Sequence, residues 1–373
     1  MASIQRRPDG QWRARYRDSA GKEHARHFDR RIDAQHWLNS VTTAVVTGNY
    51  VDPSRSKVTV GAFGRQWLDS QRHLKPSTRY RYDSLWKLHV EPAWKDVRLS
   101  DVGHADVVGW VSGLQEEGLA GSSVRQAHRV LSMILKLAVK DGRVPRNHAD
   151  GVKLPKAAKP AKKFLTHRQV ADLADATNSG ADRLSILVLA YTGIRFGELA
   201  ALRFGSINLM SRRFNIAEAA TEVGSDLIFG TPKSHQARSV PIPRFLVDPL
   251  AELTAGLAAG DLVFTAPMGG PLRLSNYRRR IFNPAVKAAG LGKLTPHELR
   301  HTAASLAVAA GANVKALQRM LGHANASMTL DVYSGLFEDD LDQVADRMAS
   351  AALADSVRTD AVVTALPTVA ARL

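Results

Sequence analysis

Residues 295–333 read TPHELRHTAASLAVAAGANVKALQRMLGHANASMTLDVY. Their spacing predicts three helices separated by two tight turns. Thr295-Pro296-His297-Glu298 has the form of a helix start, with Thr295 at the N-cap, Pro296 first and Glu298 third to close a capping box. His297 and Arg300 then stand at i and i+3 on one face of the first turns, at the positive end of the helix. Gly311 ends that helix, Asn313 to Leu321 forms the next, and Gly322 breaks it so that His323 emerges directly afterwards. Asn325 or Ser327 can cap a short helix that carries Tyr333. The same stretch holds His297-Glu298-Leu299-Arg300-His301, which fits the His-Glu-x-x-His pattern of zinc hydrolases. In those enzymes the glutamate is a general base inside the helix and a third ligand follows. Here Glu298 serves the capping box more economically, and no metal is expected.

Two upstream segments complete the set. TGIRFGELAALR (192–203) places Arg195 in an apolar stretch between Ile186–Ala190 and Leu199, Leu202. A charge there needs a partner or a function. Glu198, at i+3, can be the partner and orient the arginine. TPKSHQARSVPIP (231–243) supplies Lys233. Two arginines, a lysine, two histidines and a tyrosine suit an anionic phosphoryl centre attacked by a phenol. A phosphodiester in transfer gains negative charge on its non-bridging oxygens, which positioned cations neutralise. A guanidinium can grip two such oxygens at once. A cationic pocket favours phenolate over a phenol of pKa ~10, and Lys233 can protonate the departing oxygen. Tyr333 alone follows the His323 turn. Tyr191 is expected in the core, Tyr277 (in NYRRR) at a DNA or surface contact, and His301 packed on its helix.

The net charge of +16 argues for a polyanion partner, most simply nucleic acid. The absence of cysteine excludes disulfides, thiolate metal sites and cysteine nucleophiles. No apolar h-region opens the chain and no uninterrupted apolar run approaches a membrane span. The expected location is the bacterial cytosol, with the nucleoid, and no membrane partner.

The expected fold is multidomain, mainly α with small β-sheets. Residues 1–57 read as a small sheet plus a helix. QWRARYR sets Trp12, Ala14 and Tyr16 on one face and Arg13, Arg15 and Arg17 on the other; a turn at residues 18–21 leads to a second strand over Lys22–Phe28, and Arg31–Val45 has helical spacing. Such a basic sheet can lie in a DNA groove. Residues 51–56 look like a linker. Residues 58–152 read as a helical bundle with Trp67, Tyr82, Leu85, Trp86 and Leu88 as core. One helix enters at Lys75-Pro76-Ser77-Thr78, with Ser77 or Thr78 free to cap, and another runs over Ser122–Val139 with Arg125, His128, Arg129 and Lys136 partly outward. Residues 153–163 form a basic linker. Residues 164–355 are an α+β catalytic domain, with strands around Phe214–Ile242 and an acidic amphipathic helix at 337–353, and 356–373 is a tail. Candidate DNA contacts are Arg13, Arg15, Arg17, Lys75, Thr78, Arg79, Arg125, His128, Lys136 and Arg278.

These motifs resemble the tyrosine recombinase (phage integrase) family through most of the chain, and LKPSTRYRYDSLWKLHVEP (74–92) is similar to that family's core-binding domain. By the resemblance, Arg195 and Arg300 match the two phosphate-clamping arginines, Lys233 the strand lysine, His297 and His323 the two histidines, Tyr333 the nucleophile and Glu198 the acidic residue of the first box. The resemblance implies cleavage and rejoining of DNA through a 3′-phosphotyrosyl link with a free 5′ hydroxyl, without cofactor, metal or ATP, to integrate and excise phage or mobile-element DNA. It implies double-stranded DNA partners (arm sites for residues 1–57, core sites for the rest), a homo-tetramer, a host DNA-bending protein and an excision factor. Two departures stand out. Phe204-Gly205-Ser206 replaces the usual Trp-x-Asp, and Asn147-His148 replaces Asn-Pro; packing and a helix exit are expected to change, not chemistry. A type IB topoisomerase-like strand transferase shares the chemistry but does not need the N-terminal sheet. A non-catalytic DNA-binding protein does not need Tyr333. The 337–353 helix can fold back or dock on a neighbouring protomer.

Overall fold

The alternation in Trp12–Arg17 is realised as the central strand of a three-stranded antiparallel sheet, β1 (Ser3–Arg6), β2 (Trp12–Arg17) and β3 (Glu23–Phe28), in that spatial order. The computed structural model describes residues 2–18, 21–47, 55–156, 163–232, 237–323, 325–333, 345–346 and 348–353. Residue contacts divide the chain into two units, Met1–Pro160 and Ala161–Leu373.

In the first unit, Ala14 and Tyr16 are buried against α1 (Arg31–Val46), which contributes Ala34 and Leu38. Trp37 of α1 meets the rings of Tyr16 and Phe28 at 5.5 and 5.7 Å. β1 was not foreseen. Its Ser-Ile-Gln-Arg sequence has no apolar alternation, and it is held by pairing Ser3–Arg6 with Arg15–Trp12. The expected turn falls partly on residues 19–20 and the expected linker largely on 48–54, all outside the described residues.

The helices that follow are α2 (Val60–Ser70), α3 (Pro76–Leu85), α4 (Glu91–Trp94), α5 (His104–Glu116) and α6 (Gly121–Lys140). Helix α6 buries Val124, Val130, Leu131, Ile134 and Leu135, the i/i+3/i+4/i+7 stripe of an amphipathic helix. Each such side chain contributes ~1.5–3 kcal/mol of transfer free energy. Three expectations need correction here. Pro76 occupies the first helical position and Lys75 the N-cap, with no side-chain cap bond, so Ser77 and Thr78 lie inside the first turn. Leu88 is 66% exposed: residues Trp86–Val90 form a π-turn, whose wider pitch turns Trp86 and Val90 inward and leaves Leu88 out. His128 is buried, its Nε2 bonded to the Ala149 carbonyl at 3.0 Å, because it shares the inward stripe with Val124 and Leu131.

In the second unit, α7 (His167–Asp175), α8 (Gly180–Thr192) and α9 (Phe196–Ala200) precede the strands. A sheet of order β4-β5-β8 joins Ile207–Asn208, Arg213–Ile216 and Arg238–Pro241, while β6 (Ala219–Val223) and β7 (Asp226–Gly230) form a hairpin. Then come α10 (Val247–Thr254), α11 (Leu274–Tyr277), α12 (Asn283–Ala288), α13 (Pro296–Ala309), α14 (Val314–Leu321) and α15 (Ala326–Tyr333). Helix α8 is apolar almost all round, with Ile186, Val188, Leu189 and Ala190 buried in the core beside Leu199, Phe214 and Leu299. A helix of that kind is a central scaffold element, and its end is a rigid place to anchor a site. Of the expected 337–353 helix, residues 345–346 and 348–353 are described and helical, while the rest of that segment and the whole 356–373 tail lie outside the described residues. Among the described residues no helix is long and apolar enough to cross a membrane.

Candidate active site

Helix α8 ends at Gly193, whose φ of 65° is the left-handed conformation that glycine adopts at least cost. Arg195 follows as the N-cap residue of α9. Its backbone N–H donates to Glu198 Oε2 at 2.8 Å and its guanidinium Nη1 donates to Oε1 at 3.0 Å. The side chain of Arg195 is 27% exposed and that of Glu198 only 1%. The ion pair read from the sequence is therefore present, and it holds the arginine at the edge of the core.

A second cation completes it. Arg238, the first residue of β8, donates from Nη1 to Glu198 Oε1 at 2.8 Å and from Nη2 to Oε2 at 2.6 Å. Its Nε donates to the Met320 carbonyl at 3.2 Å. Burial acts to raise the Glu198 carboxyl, but the hydrogen bonds and charge of Arg238, followed by those of Arg195, hold it below the ordinary carboxylate value. Sequence reasoning passed over Arg238. The signal was available: residues i and i+2 of a strand share a face, so Arg238 lies on the same face as the buried Val240.

Arg300, on α13, is 3% exposed. It donates from Nη1 to the Gly193 carbonyl at 2.6 Å and from Nη2 to the Leu321 carbonyl. Those carbonyls sit at the C-terminal ends of α8 and α14, where the helix dipole favours a cation. The expected helix start is in place, with the Glu298 carboxylate accepting from the Thr295 N–H at 2.6 Å. His297 and Arg300 differ in surroundings, however. Arg300 points into the core, while His297 is exposed and packs edge-on against His301 with ring centroids 5.1 Å apart.

Helix α14 begins with the Asn313 side chain accepting from the Ala316 N–H and ends at left-handed Gly322. His323 follows, its Nδ1 3.0 Å from the hydroxyl of buried Thr329, and its carbonyl accepts from Gln318 Nε2 at 3.1 Å. Burial pushes the imidazole down to about 4, and the charges of Arg300, Arg195 and Arg238 push in the same direction. The ring is therefore neutral at pH 7 and sits in the field of three arginines. Helix α15 begins directly after Asn325, holds Ser327 in its first turn, and ends at Tyr333. Lys233 lies outside the described residues.

The remaining candidates are distributed over both units. Arg13, Arg15 and Arg17 each lie within 4.0 Å of Glu23 across the sheet. Arg79, Arg125 and Lys136 are exposed; Lys75 and Thr78 are half-buried. In the first unit, Arg125, Arg129, Lys136, Lys140, Arg146 and Asn147 line an open groove of about 1000 Å³. Arg278 is exposed with Arg279 and Arg280. Tyr277 corrects the expectation of a surface contact. It is 1% exposed, its ring is packed among Phe196 and Phe282, and its hydroxyl is 2.7 Å from that of Ser185. Tyr191 is half-buried, with its hydroxyl 2.9 Å from His167 Nδ1.

Residues 163–339 match the model of the phage integrase family. The putative prophage phiRv2 integrase of Mycobacterium tuberculosis is 27% identical over 336 residues, covering 86% of this chain and 88% of that protein. The integrase of Mycobacterium phage D29 is 25% identical over 342 residues, covering 88% and 90%. Among solved structures, the fold resembles the Tn1549 transposon integrase in complex with a circular intermediate DNA, with a TM-score of 0.67 at 21% identity over 78% of this chain and 99% of that one. Residues 163–339 thus carry a phage integrase family domain, and the chain is similar over most of its length to prophage and phage integrases and, with them, to tyrosine recombinases. Its activity is that of a site-specific DNA recombinase.

Proposed function

We propose that this chain cuts and rejoins double-stranded DNA at attachment sites through a transient bond between a 3′ phosphate and Tyr333. The observation that supports this most is the convergence of Arg195, Arg300 and neutral His323 around one rigid corner, where α8 and α14 end and α9 begins. Arg195 and Arg300 neutralise the non-bridging oxygens of the scissile phosphate, and His323 and His297 supply hydrogen bonds to it. Tyr333, having lost its proton to solvent to become the phenolate that the cationic pocket favours, forms the bond to phosphorus, the bond to the 5′ oxygen breaks, and Lys233 delivers a proton to that oxygen. The reverse attack by a 5′ hydroxyl of another strand rejoins the backbone, so the phosphodiester energy is conserved.

The DNA contacts follow the charge. The groove lined by Arg125, Arg129 and Lys136 takes the core site, and the strand face carrying Arg13, Arg15 and Arg17 takes the arm site. In this reading residues 1–57, 58–152 and 164–355 serve arm binding, core binding and catalysis, joined by the 153–163 linker. The fold also resembles that of lambda integrase in a tetramer bound to a Holliday junction, at 21% identity and a TM-score of 0.58. That likeness supports a tetramer as the working state here; a host DNA-bending protein and an excision factor that set direction are proposed from the family resemblance alone. The test is peptide mapping of the covalent product on a nicked attachment-site duplex. The 3′ phosphate should sit on the peptide that contains Tyr333; modification of Tyr191 or Tyr277 instead would reject the assignment.

A further inference from the structure

Glu198 is one carboxylate between two guanidiniums. Its Oε1 is shared by Arg195 Nη1 at 3.0 Å and Arg238 Nη1 at 2.8 Å, and Arg238 alone is bidentate. Arg238 is also the more deeply placed, its side chain 8% exposed against 27% for Arg195. The carboxylate is thus neutralised mainly from the buried side. Without Arg238 the full negative charge of Glu198 would fall on Arg195, in a site of low dielectric where such pairing is strong. An arginine so compensated attracts a phosphate poorly.

We infer that Arg238 is a positioning residue: by neutralising Glu198 it leaves the charge of Arg195 available to the scissile phosphate, while its bond to the Met320 carbonyl fixes the turn that presents His323. It touches neither substrate nor reacting atoms. This inference rests on the reading of Arg195 as a phosphate ligand. It is more specific than a structural role, because it ties the defect of an Arg238 variant to the charge of the substrate.

The test compares covalent adduct formation on two attachment-site duplexes, one with a normal scissile phosphodiester and one with a methylphosphonate there. The methylphosphonate lacks one non-bridging oxygen and its charge, so it needs less help from Arg195. Arg238→Met should lose about 10²-fold in rate on the phosphodiester but less than about 5-fold on the methylphosphonate. Arg238→Lys, which keeps the charge, should lose less than Arg238→Met on the phosphodiester. The double variant Arg238→Met with Glu198→Gln should regain rate over Arg238→Met alone, since it removes the uncompensated carboxylate. Thermal unfolding of each variant identifies the folded protein to be assayed. Equal losses on both substrates, no loss, or no recovery in the double variant would each overturn the inference. No adduct from the wild-type chain on the phosphodiester would instead overturn the proposed function, and this inference with it.

Discussion

The guanidinium of Arg238 lies against the carboxylate of Glu198 in a two-pronged pair, with bonds of 2.8 and 2.6 Å. Glu198 also accepts from the backbone and side chain of Arg195, so both of its oxygens are doubly engaged. That one carboxylate ties the entry of α9 to the start of β8, and through Arg238 to the end of α14.

Removing it should unfold more than it disarms. Glu198→Ala leaves two guanidiniums without their counter-ion at a site where the carboxylate is 1% exposed. Loss of one member of such a cluster costs about 3–5 kcal/mol. Urea denaturation of the variant should show the second unit melting at clearly lower denaturant; an unchanged midpoint would mean the cluster contributes nothing to stability.

Gly322 is the hinge between that cluster and His323. Its φ is +67°, and a Cβ there would lie 2.7 Å from Arg238 Cδ. Gly322→Ala therefore strains the backbone by about 1 kcal/mol and pushes Arg238 off its partners. Adduct formation should fall at least about tenfold while binding to core-site DNA persists. Retention of wild-type rate would show that the turn tolerates displacement.

The order in which these features become visible is itself physical. Helix starts and stops in 295–333 were legible because capping and glycine chemistry are local: Thr295-Pro296, Gly311, Asn313 and Gly322 each act within one turn. Arg195 and Glu198 were legible as an i, i+3 pair. The strand alternation could have placed Arg238 on the buried face with Val240, but not its partners, which stand 40 and 82 residues away in sequence and are joined only by the fold. Tyr277 was misread because three following arginines suggested a surface, while a π-turn over Arg278–Phe282 lets Tyr277 and Phe282 both point inward. Leu88 failed for the same reason, at the π-turn of Trp86–Val90. A π-turn breaks the 3.6-residue period on which such reading depends.

The low-lying imidazole of His323 makes a pH prediction. Unfolded, a histidine titrates near 6.5; folded, this one titrates at about 4. Between those values the unfolded chain binds the extra proton, so stability is fully present above about pH 6.5 and is lost as pH falls toward 4. His323→Gln should flatten the dependence of thermal stability on pH across that window. An equally steep profile in the variant would assign the acid lability to other groups.

Residues 1–57 offer a test of the division of labour. Deleting them should abolish arm-site binding in a mobility-shift assay and spare cleavage at core sites. Equal loss of both would show that the sheet carrying Arg13, Arg15 and Arg17 is not a separate reader.

The central claim is the nucleophile. Wild-type protein and Tyr333→Phe should be incubated in EDTA with labelled attachment-site DNA taken from the sequences flanking the integrated element, and the products resolved under denaturing conditions. A protease-sensitive protein–DNA adduct from the wild type alone is the predicted result. An adduct of equal yield from Tyr333→Phe, or specific binding with no adduct from either protein, would contradict it.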